Sequence, residues 1–344
     1  MRAGRVSIPS TRYVCALYIH PSFILEHVLT TRFFSSSATL TPLKLCLVQW
    51  KINFFIPIQS NNSRLTGAIL RLIEYKRNGQ GINDGLVKKV VDSFVSLGLD
   101  EDDPNGVHLD VYKSHFEIPF LGATEKYYTL KSKAFLAENS ISDYLKKVEE
   151  WLGEEEGLVE RYLNTQTRKP LIGSCMRILI GERLKLMYVA SQTFFDHGKD
   201  EDLRRLYEFL TRNSDDLEPL RGKFEEHVRR AGLTAILRLV GKGGVVMEVN
   251  PKAYVDALFE VYRKNSEMVK RNFEGDAGFV ARLDQACRDF VNKNAATGAL
   301  RTKSSELLAK YADILLRRGN KMAEEYLESA LDRVVCTFSG WLNA

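Results

Sequence analysis

The amino-acid sequence predicts an all-α fold, an elongated helical solenoid without a sheet. Apolar residues recur at helical spacing in several long segments, no segment alternates as a strand would, and only 9 of the 344 residues are proline. With 44% apolar and 27% charged residues, the chain can bury a sizeable core. About ten helices without a strand signal favour a solenoid, in which each helical unit buries its apolar face against its neighbours.

The segment 133–163 carries the clearest helical pattern. Its apolar residues recur mostly at spacings of three and four and predict one buried stripe: Tyr144, Leu145, Val148, Trp151, Leu152, Val159, Tyr162 and Leu163. The charged residues between them are expected to face water: Lys146, Lys147, Glu149 and Glu150. We interpret the acidic run 154–156 as a solvated surface as well, because successive carboxylates on one helix do not face each other across a cleft.

Three further stripes predict helices over 86–95, 203–210 and 254–269. Asp200 is the expected N-cap of the second of these helices, and Pro251 is expected in the first turn of the third. The apolar segment 43–58 is too short to cross a bilayer and contains two lysines, so it is interpreted as a buried helix.

The charge distribution argues against nucleic acid as the main partner. Of the net charge of +5, residues 1–44 carry +4, from five basic residues and one acid, which leaves +1 for the other 300 residues. A nucleic-acid binder concentrates Lys and Arg on one face, whereas the long helices here interleave both signs. No membrane partner is expected either.

Cysteines and histidines give no sign of a metal site or a disulfide framework. The five cysteines are far apart: Cys15, Cys46, Cys175, Cys287 and Cys336. The six histidines are scattered: His20, His27, His108, His115, His197 and His227. Cys287 shares a helical stripe with Phe279, Leu283, Ala286 and Phe290, where a small apolar side chain is expected to pack in the core.

Three short motifs do not carry chemistry. GKGG at 241–244 lacks the first Gly and the final Ser or Thr of a phosphate loop and is interpreted as a turn. DEDDPNG at 100–106 places Tyr112 where a calcium loop needs Glu, so it is interpreted as an acidic helix-end loop. A formal glycosylation sequon begins at Asn61. We therefore predict no catalytic, cofactor-binding or metal-binding residues, and no cofactor.

Several segments together resemble the stalk of a cullin, the scaffold of multisubunit ubiquitin ligases. They occur in the family's order, from about Leu45 to about Val335: RLIEYKRNGQGINDGLVKKVVDSFVSLGLDEDD, LDVYKSHFEIPFL, AFLAENSISDYLKKVEEWLGEEEGLVERYL, KFEEHVRRAGL and DAGFVARLDQACRDFVNKNAATG. The resemblance is to fungal cullins of the type that pairs with Skp adaptors and F-box proteins.

The resemblance implies a division of the chain. Residues 45–165 resemble the second five-helix cullin repeat, 166–300 the third, and 301–336 the start of the C-terminal helical bundle. Residues 1–44 are unmatched, either disordered or mispredicted, and 337–344 form an unmatched tail. The adaptor-binding first repeat and the RING-binding, neddylated C-terminal half are expected to be missing, which would expose the apolar residues between Leu45 and Ile58.

The function that the resemblance implies is that of a noncatalytic scaffold in a cullin-RING ubiquitin ligase of the SCF type. Its expected partners are protein subunits of that ligase: a Skp-type adaptor with its F-box protein, and a RING-box subunit. The alternative is a free-standing truncated paralogue that acts as a regulatory interaction protein; a helical enzyme ranks third. The expected location is cytoplasmic and nuclear. The Arg- and Ser-containing segment 1–44 is attributed to an alternative or mispredicted first exon in preference to mitochondrial targeting.

Overall fold

The computed structural model describes residues 47–60, 62–98, 108–212, 216–240, 249–296, 303–318 and 340–341. Within these ranges every regular element is a helix and none is a strand, so the all-α prediction is confirmed. The chain divides into two compact units. The first comprises residues 1–138 and 147–181, and the second comprises 139–146 and 182–344.

Within the described residues, seven α-helices contribute to the first unit. They are α1 (Ile56–Ser60), α2 (Arg64–Arg77), α3 (Asp84–Ser96), α4 (Asp110–Tyr112), α5 (Ile118–Glu138), α6 (Ile141–Tyr162) and α7 (Arg168–Leu179). A π-helical stretch, Lys51–Phe55, leads into α1, and another, Lys113–Glu117, joins α4 to α5 without a break. The division between the units falls inside α6, whose residues 141–146 belong to the second unit.

A column of buried residues runs along the continuous helix formed by α4, the second π turn and α5. Its members recur at every fourth position: Tyr112, Phe116, Phe120, Thr124, Tyr128 and Ser132. In a regular α-helix, four residues advance about 40° beyond a full turn, so such a column drifts around the helix. The wider π turn at Lys113–Glu117 offsets part of that drift, because it holds more residues per turn.

The segment 43–58 is helical from residue 47 onward, but the prediction that it is buried is wrong for its described part. Ile52, Phe54 and Ile56 are each about half exposed, at 53%, 51% and 47%. Only Phe55 is buried along this stretch, where its ring meets that of Phe94 edge-on at 5.3 Å. The apolar exposure expected between Leu45 and Ile58 is therefore present at these three residues.

Six further α-helices lie within the part of the second unit that the structure describes. They are α8 (Leu184–His197), α9 (Asp200–Leu210), α10 (Leu217–Val240), α11 (Pro251–Asn272), α12 (Ala277–Asn292) and α13 (Lys303–Arg318). The centre of this unit is a cluster of aromatic rings from α8, α9, α10, α12 and the residue that follows α11: Phe195, Tyr207, Phe224, Phe279 and Phe273. Phe273 and Phe279 stack with ring centroids 3.9 Å apart.

Two glycines allow α10 and α12 to pack closely. A Cβ atom on Gly232 of α10 would lie 2.5 Å from ring atoms of Phe290 on α12. A Cβ atom on Gly278 of α12 would lie 2.3 Å from the guanidinium of Arg221 on α10. Gly232 therefore has no room for a side chain, and the absence of one there sets the approach of the two helices. At Gly278 a Cβ atom would require the Arg221 guanidinium, the far end of a flexible side chain, to move.

The helix ends confirm the predicted position of Pro251 and correct the predicted cap at Asp200. Pro251 occupies the first turn of α11, and the side chain of Asn250 caps that helix by accepting hydrogen bonds from two backbone N–H groups. Asp200 is not the N-cap of α9; it is the first helical residue, after Lys199. Its carboxylate instead accepts a hydrogen bond from Asn272 Nδ2 at 2.8 Å, so the demand for an acceptor on α11 displaces the predicted cap.

The predicted apolar stripes are otherwise buried, with one shift. All eight stripe residues of 144–163 are at most 7% exposed, and the stripe over 203–210 is buried too. On α3 the buried set is Val87, Val90, Val91 and Phe94, while Leu86 and Val95 are only half-buried. Three of the five predicted residues of this stripe are therefore buried, and Val87 is buried in place of Leu86.

Candidate functional site

The two loop motifs considered in the sequence, 241–244 and 100–106, lie outside the described residues. The same holds for Cys15, Cys46 and Cys336, and for His20 and His27. Among the residues that the structure describes, no group of three or more His, Cys, Asp or Glu side chains could hold a metal ion. In the same ranges, no helix combines the length and the apolar composition that crossing a membrane requires.

The two described cysteines, Cys175 and Cys287, are both free and buried. Burial raises the pKa of the Cys175 thiol to about 12, and it raises the pKa of Cys287 as well. A thiol is a weak nucleophile when its pKa is this high, because the thiolate is the reactive form. Cys287 packs with its predicted stripe partners, all at most 2% exposed, as expected of a core residue.

The four described histidines do not converge. His108 precedes α4, His115 lies in the π turn that follows, His197 ends α8, and His227 lies in the middle of α10. His227 Nδ1 lies 3.1 Å from a carboxylate oxygen of Asp196, and its ring stacks on that of Phe195. Burial lowers the pKa of His227, although the Asp196 carboxylate opposes the shift.

A buried ion pair joins α2 and α6 in the first unit. Arg77 donates two hydrogen bonds to Glu155, Nε to Oε1 and Nη2 to Oε2, each at 2.7 Å. The side chains of Arg77 and Glu155 are 4% and 0% exposed. Such a bidentate geometry is the strongest form of the charge-assisted hydrogen bond. The prediction that the run 154–156 is solvated is therefore wrong for Glu155.

Two residues of α5 complete the hydrogen bonding of this pair. Tyr128 donates from its hydroxyl to Glu155 Oε1 at 2.8 Å, and Arg77 Nη2 donates to Thr124 Oγ1 at 2.8 Å. Both residues belong to the column in which every fourth residue is buried. The ion pair therefore connects three helices of the unit through a network whose members are all buried.

The electrostatics of the network keep its charges in place. Burial, and then the Glu155 carboxylate, raise the pKa of Tyr128 far above its usual value, so the phenol stays protonated and donates. Burial alone would lower the pKa of Arg77, but the adjacent Glu155 outweighs it and raises that pKa. Both effects favour a permanent ion pair over a group that exchanges protons in a reaction.

Aromatic rings surround the guanidinium of Arg77. Its Cζ lies 5.3 Å from the ring centroids of Phe120 and Tyr127 and 5.7 Å from that of Tyr128. Cations at such distances are attracted to the ring faces, most strongly when desolvated. These three aromatic side chains fill the space around the guanidinium. The network is therefore suited to fixing helix positions and not to accepting a substrate.

One signal in the sequence could have identified Glu155. It lies four residues after Trp151 and four before Val159, and both belong to the predicted apolar stripe. A carboxylate in phase with a buried stripe needs a cationic partner, because an unpaired charge is costly to bury. Its partner Arg77 was not identifiable in this way, since it comes from a helix far away in sequence.

A shallow groove runs along α10 on the surface of the second unit. Its volume is about 310 Å³, and it is lined by Glu226, Arg229, Arg230, Leu233, Thr234 and Leu237. Leu237 is 54% exposed and Leu233 is 38% exposed. The arginines of the groove already face acids, since Arg230 pairs with Asp196 and Arg229 pairs with Asp289.

The chain is similar to three proteins called Cullin-1. It is 42% identical to that of Dictyostelium discoideum over 297 residues, 36% identical to that of Schizosaccharomyces pombe over 295, and 34% identical to that of Caenorhabditis elegans over 307. Each alignment covers 86% of this chain and 38% of the relative. The chain thus spans less than half the length of the curated relatives it matches.

Residues 28–339 match the family model described as the cullin alpha solenoid domain. The match extends beyond the quoted resemblance, which runs from about Leu45 to about Val335. The helical units seen in the structure agree with a domain of this description. The narrower expectation of a fungal, Skp-pairing cullin stays a prediction. Because the match covers most of its length, the chain belongs to the cullin family.

Proposed function

We propose that this chain is a scaffold segment of a cullin-RING ubiquitin ligase of the SCF type. Its task is to hold a substrate-receptor end and a catalytic end at a set distance and orientation. The observation that carries the proposal is the match to the cullin solenoid domain over residues 28–339. Stacked helices suit this task because their stiffness comes from continuous packing between neighbours.

The interior of each unit supports a mechanical role. In the first unit, the network around Arg77 and Glu155 fixes three helices to one another by bonds that water does not reach. In the second, α10 and α12 approach so closely that Gly232 has no room for a side chain. We propose that the chain is noncatalytic, in keeping with the pairing of Arg77 and Glu155 within the protein.

We further propose that residues 45–165 and 166–300 are the second and third cullin repeats, and that 301–336 begin the C-terminal bundle. The contacts with a Skp-type adaptor, its F-box protein and a RING-box subunit then lie outside 45–300. On this proposal, the chain contributes the spacing between those partners.

A chimera tests the proposal without depending on the ends of this sequence. Residues 28–339 replace the aligned stretch of the Dictyostelium Cullin-1, and the chimera is assembled with that organism's ligase subunits. We expect it to bind the adaptor and the RING-box subunit and to support ubiquitin transfer to a substrate. A matched control carries an unrelated helical solenoid of the same length, which should bind both end subunits but transfer poorly. A folded chimera that transfers no better than this control would contradict the proposal.

The alternative, a free-standing regulatory interaction protein, makes a different prediction for a pull-down from cell extract. The tagged chain would then recover regulators of cullins but neither adaptor nor RING-box subunit. Long-read sequencing of the transcript would show whether such a protein is made. We also propose a cytoplasmic and nuclear location, which fluorescence imaging of the tagged chain tests against a mitochondrial marker.

A further inference from the structure

Trp341 is held against the second unit, although the sequence assigns it to an unmatched tail. Its side chain is 4% exposed. The indole meets the ring of Tyr262 on α11 at a centroid distance of 5.0 Å and an angle of 61°. This edge-to-face arrangement is one that aromatic pairs prefer. A large aromatic side chain is thus buried by contacts with a distant part of the chain.

The main chain of Trp341 is held as well. Asn292, the last residue of α12, donates from Nδ2 to the carbonyl oxygen of Trp341 at 2.6 Å. The same amide nitrogen donates to the backbone oxygen of Arg288 at 2.8 Å, which fixes its orientation. Recognition of a side chain by a ring and of the backbone by a polar group is how many domains bind short peptide segments.

We propose that the face formed by Tyr262 of α11 and Asn292 of α12 is a binding site for a tryptophan-bearing peptide segment, occupied in this chain by its own residue Trp341. The segment acts as a tethered ligand. Its removal opens the site to the same sequence offered as a separate peptide. This inference is independent of the scaffold function and can fail while that function stands.

The covalent connection between Trp341 and the rest of the chain determines how tightly the site must bind this residue. A ligand joined to its site by a linker experiences an effective concentration of up to the ~mM range, so a dissociation constant well below ~1 mM is enough to keep it bound. If the site is occupied by Trp341 nine times in ten, a competing peptide sees about one tenth of the sites as open. Its apparent affinity for the wild-type chain is then about tenfold weaker than for a chain without Trp341.

The test uses the full chain with Trp341→Ala and a fluorescent peptide of residues 337–344, TFSGWLNA. We expect saturable binding by fluorescence anisotropy, about tenfold weaker binding to the wild-type chain, and none for the peptide TFSGALNA. Adding Tyr262→Ala to Trp341→Ala should abolish binding. Adding Arg263→Ala, whose side chain is 73% exposed on the same helix, should leave binding unchanged.

No saturable binding to a folded Trp341→Ala chain at a peptide concentration of several mM would overturn the proposal, and so would equal binding to both chains. A second measurement covers a variant that fails to fold. The wild-type chain labelled with 5-fluorotryptophan has three fluorine resonances, since it has three tryptophans. Trp341→Phe identifies the third, which should show little solvent isotope shift. A full solvent isotope shift would mean that the indole is in water and would equally overturn the proposal.

Discussion

Removing Glu155 should cause a large loss of stability, because it leaves the charge of Arg77 buried without its partner. The two hydrogen bonds between them are 2.7 Å long, and neither side chain is more than 4% exposed, so water screens the pair little. Breaking a buried pair by removing one partner costs about 3–5 kcal/mol. We therefore expect Glu155→Ala to lower the free energy of unfolding of its unit by about 3–5 kcal/mol.

A double-mutant cycle separates the pair from the charges themselves. Urea unfolding followed by circular dichroism gives the free energy for Arg77→Met, Glu155→Leu and the double variant. Replacing both partners by apolar side chains of similar volume is often neutral or stabilising. The double variant should therefore be more stable than either single variant, with a coupling of several kcal/mol. Tyr128→Phe, which loses one hydrogen bond to a charged group, should cost about 1.5–3 kcal/mol.

The exposed pair Lys147–Glu150 provides the control, because it lies on the same helix as Glu155. Its side chains are 35% and 60% exposed, and exposed pairs contribute at most about 1 kcal/mol. Glu150→Ala should change the free energy of unfolding by about 0.5 kcal/mol or less. The reasoning is refuted if Glu155→Ala costs no more than this control, or if the losses of the two single variants simply add in the double variant.

Three further predictions concern the second unit. Gly232→Ala should cost about 1–3 kcal/mol in denaturant unfolding, since its Cβ would meet the ring of Phe290. Adding Phe290→Leu should recover part of that loss. Full stability of Gly232→Ala would contradict the close packing. Asp276→Ala should lower the melting temperature and cost about 1–2 kcal/mol, because Asp276 caps α12 and pairs with Arg221. Asp276→Asn keeps a capping oxygen and should cost less. Equal losses in the two variants would argue against the cap. Burial lowers the pKa of His227 below its usual 6.5, so below that pH the unfolded chain binds a proton that the folded chain does not. The free energy of unfolding should therefore fall as the pH drops from about 7 through about 6.5. His227→Gln should reduce this fall in unfolding curves measured at several pH values, and an unchanged fall would exclude His227 as its source.

The sequence predicted what depends on local periodicity. The stripe of α6, the position of Pro251 in the first turn of α11, and the core position of Cys287 all follow from the pattern along one helix, and the structure confirms each. Asp200 was assigned a local role that fails, because its carboxylate is used by Asn272 of another helix. Local preference is a weak guide where a tertiary partner competes for the same atom.

The network at Glu155 shows the same limit at the candidate site. The position of Glu155 on the buried side of α6 can be predicted from its spacing. Its partners come from α2 and α5, however, and no spacing within α6 points to them. The prediction that segment 43–58 is buried failed for another reason. An apolar helix is predicted to be buried because most are, yet whether Ile52, Phe54 and Ile56 find a partner depends on what packs against them.

The π turn at Lys113–Glu117 has a consequence for how this region can evolve. The helix passes through it without a break, and it holds one residue more than an α turn that covers the same rotation. Deleting one residue there would convert it to an α turn and leave the following helix at nearly the same rotation. Thr124 and Tyr128 would keep facing the charges they bond. Deleting one residue at the start of α5 would instead rotate everything after it by about 100°. A one-residue gap in aligned cullin sequences should therefore be tolerated within 113–117 but not between there and Thr124.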